Sequence, residues 1–308
     1  MLLALIPTAL VSWFGYNSAK QSLENNAISQ LEVNLELKAQ FIQNWFSNRF
    51  IDLYQQSNST NNRNFLKKLT SDWKTSELNL KDYTESERWG KLTNLYQDNL
   101  VYLRKNYDFY DLFLIDKEGN LIFSVEKESD LGTNLLTGEL AYTNFAKACK
   151  LCLETGGSYF SDLESYVPSF GGVYGFFISP ILDENKEVIG IYAFQADLLI
   201  IEDLMKKTSG LGESGESYLV KHKDDNLFVL RTQRRLHKVD YTDLINTEVS
   251  SELIQHWSNK SEDELHAITY LSPSQDSVLG AYKNIKIGSR NWCMIAEVPI
   301  SEAFAGAN

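Results

Sequence analysis

The stretch from Asn17 to Ser57 contains no proline and no glycine, and its apolar residues follow a helical period: Ile28, Leu35 and Ile42 are seven apart, with Leu31 and Trp45 on adjoining positions. A helix of about 40 residues runs about 60 Å at 1.5 Å per residue, longer than a typical globular helix. It therefore carries the rest of the chain away from the N-terminus. The sixteen residues before it, "MLLALIPTALVSWFGY", hold no charge, and Trp13 and Tyr16 stand where an interfacial aromatic belt would lie. They fall short of the ~20 apolar residues of a spanning helix and lack a basic n-region, so they are expected to be part of a transmembrane helix, with a buried N-terminal helix as the alternative. The ending "EVPISEAFAGAN" is expected to lead into a second span.

After the break "SNSTNNRN" the sequence predicts helices over 65–73 and 85–106. The pair "YDLFLIDKEGNLIFSV" then reads as two strands around an Asp116 and Glu118-Gly119-Asn120 turn. A helix over 138–153 and three strands follow, at "GSYFSD", "VYGFFISPIL" and "KEVIGIYAFQADL". The order then returns in shorter form. Strands at "ESYLVKH" and "LFVLRTQ" precede a helix over 242–257, then "HAITYL", "SVLGAYKNI" and "NWCMIAEVPI". Alternating β and α units for a parallel sheet are absent. The fold class expected is α+β: a long N-terminal stalk helix followed by two PAS-like modules, each a five-stranded antiparallel sheet with helical cover.

"TSGLGESGESYLV" contains a G-x-G-x-x-G at Gly210, Gly212 and Gly215. A dinucleotide loop needs a strand before these glycines and a helix after them, so that the helix N-terminus holds the pyrophosphate. Here a helical pattern precedes and a strand pattern follows. The glycines are read as a helix stop and a tight entry into a strand. A net charge of −12 argues against nucleic acid as a partner. Cys149 and Cys152 form a C-x-x-C with no further ligand pair nearby. Buried packing on a helix, a disulfide or redox pair, and a metal site all remain open for them, while Cys293 reads as a strand core residue. No metal site and no cofactor are assigned. His222, His237, His256 and His266 form no i,i+4 pair, and no G-x-S-x-G occurs, so the chain is not read as an enzyme. The charge runs "DKEGN", "VEKESD" and "HKDDN" read as solvated turns.

The chain resembles the double Cache (dCache) sensory domains found outside the membrane in chemoreceptors, sensor histidine kinases and nucleotide cyclases. The matching elements are "LIPTALVSWFGYNSAKQSL", "YDLFLIDKEGNLIFSV", "PILDENKEVIGIYAFQADL", "GLGESGESYLV" and "NWCMIAEVPISEAF", in that order. The resemblance implies a partial transmembrane helix over 1–16, a stalk helix over 17–57, a membrane-distal ligand-binding module over 58–205, a membrane-proximal module over 206–300, and over 301–308 the start of the connection to a second span. It also implies a homodimer along the stalk, anchored in the cell membrane with this domain periplasmic or extracellular. Amino-acid-binding members carry R-x-W-Y, a Tyr-x-Asp and an Asp in the last distal strand. Here R-x-W-Y is missing, Tyr166 is kept with Pro168 in place of the acid, and Gln195 replaces the last-strand acid, with Asp197 two residues on.

From the aromatic-rich stretch "YFSDLESYVPSFGGVYGFF" and the family's pocket position, the expected ligand-binding residues are Tyr166, Ser169, Tyr174, Gln195 and Asp197, with Phe113 and Ser124 on the first hairpin. Without an arginine fork, a neutral or cationic small molecule is expected rather than a standard α-amino acid. The leading function is an extracytoplasmic sensor. The alternatives are a stalked surface module of the same fold with an empty pocket and, more distantly, a secreted hydrolase.

Overall fold

The computed structural model describes residues 2–107, 109–224, 227–249, 252–259, 266–271 and 277–303. One continuous helix, α1 (Leu2–Ser57), opens the chain. Its buried apolar residues, Leu31, Leu35, Ala39, Ile42, Phe46 and Leu53, keep the helical period read from the sequence. Among the described residues no helix is long and apolar enough to cross a membrane. The chain divides into two compact units, one of Asn44–Leu199 with Ile287–Arg290, the other of Met1–Gln43, Ile200–Lys286 and Asn291–Asn308.

The first unit contains α2 (Thr60–Lys74), α3 (Leu80–Glu85), α4 (Glu87–Asn94), α5 (Asp98–Asn106), β1 (Asp111–Asp116), β2 (Leu121–Ser124), α6 (Asn144–Thr155), β3 (Tyr159–Tyr166), β4 (Gly172–Leu182) and β5 (Val188–Ala196). The strands form a five-stranded antiparallel sheet in the order β2-β1-β5-β4-β3. One face packs on helices: Trp45, Phe46 and Phe50 of α1 surround Phe177, and Phe65 of α2 meets Phe123. The opposite face is covered by α6, whose Phe145 stacks on Phe176 with ring centroids 4.1 Å apart.

The single helix predicted over 85–106 is two, because the chain turns at 95–97 and α4 has its own cap, the Ser86 hydroxyl accepting from Trp89 N–H. The helix predicted from 138 begins at Asn144 instead. There the Thr143 hydroxyl accepts from Ala146 N–H, and Gly156 closes the far end in the left-handed region. Cys149 and Cys152 lie on α6 as buried, unbridged thiols, which burial pushes up, Cys152 to about 12.

The second unit contains α7 (Leu199–Lys206), β6 (Glu216–Asp224), β7 (Leu227–Leu230), β8 (Glu248–Val249), α8 (Glu252–Asn259), β9 (His266–Leu271), β10 (Ser277–Ile287), β11 (Arg290–Pro299) and α9 (Ile300–Ala303). Its antiparallel sheet runs β8-β7-β6-β11-β10-β9. The helix predicted over 242–257 is shorter because Asp240 ties Thr242 into a turn and Glu248–Val249 pairs with β7, adding a sixth strand to the five expected. Tyr218, Val220, Leu253, Ile254, Cys293 and Ile295 belong to its core. The glycine motif follows a helix and precedes a strand. Gly210 and Gly212 sit at positive φ, and the loop's N–H groups at Glu213 and Ser214 point at the Glu302 carboxylate of the same chain.

Candidate functional site

Strand register gathers most of the expected residues onto one face of the first sheet. Phe113 lies opposite Ser124, Asp111 opposite Gln195, Phe176 opposite Gln195, Glu164 opposite Tyr174 and Tyr166 opposite Gly172. Opposed residues and residues two apart share a face, so Phe113, Ser124, Tyr166, Tyr174 and Gln195 project to the side that α6 covers. Ser169 joins them from the 3-10 turn Val167–Ser169. Asp197 does not follow Gln195 along the strand as expected, because β5 ends at Ala196. Half-buried at that junction, Asp197 accepts from Leu199 N–H at 3.3 Å, and its charge raises the pKa of Tyr174, after burial.

Four side chains are joined in a chain of hydrogen bonds. Gln195 Nε2 donates to Ser169 Oγ at 2.9 Å, Ser169 donates to Glu128 Oε2 at 2.6 Å, and Tyr110 donates to Glu128 Oε1 at 2.7 Å. Tyr174 packs on Tyr110 with centroids 4.6 Å apart. Tyr166, fully buried, donates to Asp130 Oδ2 at 2.8 Å, and its ring lies edge-on to Phe176 and Phe145. Phe113 lines the same aromatic group through Phe145 and Phe176. Ser124 has a supporting place: its hydroxyl donates to Asp111 Oδ2 at 2.6 Å and accepts from Lys127 N–H at 2.9 Å.

The carboxylates are the part that sequence reasoning missed. "VEKESD" is not a solvated turn, since it brings Glu128 and Asp130 back to the sheet, with Asp130 1% exposed. Asp116 of "DKEGN" is also buried, accepting from Glu118 and Asn120 N–H inside its turn, while part of "HKDDN" lies outside the described residues. Asp111 was legible in one respect: it stands two residues before Phe113 and so shares its face.

Burial pushes Asp111 up to about 7, although the Ser124 hydroxyl and the N–H groups of Glu126 and Leu112 pull it down. Burial likewise raises Asp130 to about 6, with the Tyr166 hydroxyl lowering it and the Glu128 charge raising it. Glu164 rises to about 7 by burial, opposed by the Phe145 and Asn144 N–H groups that it accepts at the start of α6.

Among the described residues no Lys or Arg pairs with Asp111, Glu128 or Asp130. Arg104 goes to Glu126 at 2.8 Å, and Lys127 lies over the Trp89 ring. Two buried oxygens, Gln195 Oε1 and Asp130 Oδ1, have no hydrogen-bond partner. A buried acceptor left unmade costs about 1–3 kcal/mol. A cavity of about 430 Å³ opens between α2, the β1–β2 turn and β5, away from this cluster; of the charged residues that line it, Lys67 is bound to Glu184 and Asp116 to Asn120, while Lys74, Lys117, Glu118 and Glu187 also face it.

A long helix with two antiparallel sheets, one of them backed by a buried polar cluster with unpartnered acceptors, makes an α+β fold of two modules. The Cache domain family, in its dCache_1 form, matches residues 19–307, and the chain belongs to that family. Among solved structures it is similar to the extracellular domain of a protein described as the histidine kinase vpHK1S-Z8, at 12% identity over 94% of this chain and 96% of that one, TM-score 0.59. It is also similar to a domain described as that of a sensory box/GGDEF family protein from Vibrio parahaemolyticus, at 12% identity over 91% and 99%, TM-score 0.58. A third is the ligand-binding domain of the Pseudomonas fluorescens chemoreceptor CtaA in complex with L-isoleucine, at 15% identity over 94% and 98%, TM-score 0.54. At these identities the likeness is one of fold. No curated protein matches the chain.

Proposed function

We propose that this chain is the extracytoplasmic ligand-sensing part of a transmembrane signal-transduction receptor. Residues 44–199 would be the membrane-distal module that takes up a small organic molecule, and the second unit the membrane-proximal one. The observation that carries this reading is the pair of buried, unpartnered acceptors, Gln195 Oε1 and Asp130 Oδ1, within a wall of Tyr166, Tyr174 and Phe113. Tyr192 in this unit and Glu202 in the second also keep a buried oxygen without a partner; Gln195 Oε1 and Asp130 Oδ1 point to a ligand because both belong to the polar cluster around Glu128, where a ligand's donors would satisfy them.

Membrane attachment through the start of α1 is supported by Leu10, Val11, Trp13, Phe14 and Tyr16, all more than half exposed. A homodimer along α1 is supported by Val33, Leu37 and Phe41, exposed apolar residues four apart and therefore on one stripe. A ligand that prefers one of two arrangements of the module would shift their populations, which is the physical requirement for a relay. CtaA holds L-isoleucine, whereas this chain lacks R-x-W-Y, so a different ligand is expected here.

A thermal-shift screen of the full chain against a metabolite array tests the proposal. A ligand at 100 times its dissociation constant adds about 2.7 kcal/mol of stability. At least one compound should raise Tm in the unaltered chain and not in Tyr166→Phe or Gln195→Ala. An array with no hit, or hits that both variants retain, would favour the ligand-free surface module.

A further inference from the structure

The two units place polar groups at the same point of their sheets. In the first, Asp111 begins β1 and lies opposite Gln195 near the end of β5. In the second, Glu216 begins β6 and lies opposite Glu297 near the end of β11. Four residues past the end of the next strand of each sheet stands a charged residue, Glu128 after Ser124 and Arg234 after Leu230; the registers differ by two, and Glu128 reaches Gln195 through Ser169 whereas Arg234 meets Glu216 directly.

The second unit is complete in itself. Arg234 Nε donates to Glu216 Oε1 at 3.0 Å, and Nη2 donates to Glu216 and, at 3.2 Å, to Glu297 Oε2. The guanidinium stands 4.5 Å from the centre of the Tyr218 ring, and the Tyr218 and Tyr270 hydroxyls both donate to Glu297. Two carboxylates and an aromatic wall thus enclose one internal cation. In the first unit the same place holds Asp111, Glu128, Asp130 and the rings of Tyr110, Tyr166 and Tyr174, but the residue at Arg234's offset is an acid. Gln195 Oε1 and Asp130 Oδ1 are left open.

We infer that the first unit takes from outside the cation that the second supplies for itself: a small organic ammonium or guanidinium ligand without a carboxylate, donating N–H bonds to Asp130 Oδ1 and Gln195 Oε1. The inference deepens the ligand-binding reading and rests on it. Carboxylates are costly to bury without a counter-charge, and a bound cation offsets the burial that chiefly raises Asp111 and Asp130 and the smaller repulsion that Asp130 adds to the first and Glu128 to the second. A carboxylate on the ligand would meet no guanidinium or ammonium paired with these acids among the described residues.

The test is titration calorimetry on the full chain at pH 8 with n-butylammonium, putrescine, phenethylammonium and ethylguanidinium, each against its neutral counterpart n-butanol, 1,4-butanediol, phenethyl alcohol or ethylurea. At least one cation should bind ten times or more tightly than its counterpart, and Asp130→Asn and Glu128→Gln should each weaken it tenfold or more. A smaller ratio for every pair, or no binding of any cation, overturns the inference, and so does a folded variant of either kind that binds as well as the original. The ratio in the unaltered chain decides even if a variant fails to fold. A neutral hit from the metabolite array that Gln195→Ala abolishes would overturn the cation assignment and leave the ligand-binding reading standing. An array without hits removes both.

Discussion

Asp130 has one carboxylate oxygen on the Tyr166 hydroxyl and the other on nothing, in a place where water hardly reaches. Its pKa is raised by burial from 3.8 to about 6, so the ionised form costs the ligand-free fold stability. That cost is present above about pH 6, and stability is regained as pH falls through about 6 towards 3.8. Asp111 and Glu164, raised in the same direction, add to this slope. The ligand-free Asp130→Asn chain should therefore be more stable than the original at pH 8, by ~2 kcal/mol, with the difference shrinking below pH 6. Urea unfolding at pH 8 and pH 5 checks this; equal differences at the two pH values would contradict it. Sequence reading named Tyr166, Ser169, Tyr174 and Gln195 from an aromatic-rich stretch and the family's pocket position, and strand register puts Tyr166, Tyr174 and Gln195 on one face. It missed Glu128 and Asp130 because only a long-range contact, such as that from Tyr166, tells a buried carboxylate in a charged run from a solvated one.

At the scale of elements, local chemistry was legible wherever it was self-contained. The period of α1 and the Asp116 turn follow from spacing and side-chain type alone. Boundaries set by capping or by tertiary pairing were not: Thr143 delays α6, and β8 draws Glu248–Val249 into the second sheet. The glycine loop shows both sides. Its role as a helix stop was readable, whereas its use of N–H groups to hold the Glu302 carboxylate depended on residues 88 and 89 positions away. Gly212 sits at φ +70°, and a Cβ there would overlap the Glu302 carboxylate. Gly212→Ala should thus cost about 1–2 kcal/mol, from the left-handed backbone alone. A denaturant midpoint unchanged by that substitution would show that position 212 is not held in the left-handed region.

For the whole molecule, the repeated order of strands and helices led to two antiparallel modules behind one long helix, and the family match over residues 19–307 agrees with that order. Fold was legible because it rests on periodicities that each segment carries. Ligand choice rests instead on which charges the loops bring to one sheet face, which no local period carries. The two units answer that question differently with the same framework, one enclosing Arg234 and the other leaving Asp130 and Gln195 open. The most direct measurement is a crystal structure of the chain with the compound from the metabolite array that raises Tm most. The account predicts that compound on the α6-covered face of the first sheet, within hydrogen-bond distance of Asp130 Oδ1 and Gln195 Oε1. Density for it in the second unit, or in the cavity between α2 and the β1–β2 turn, with both oxygens still unpartnered, would contradict the account.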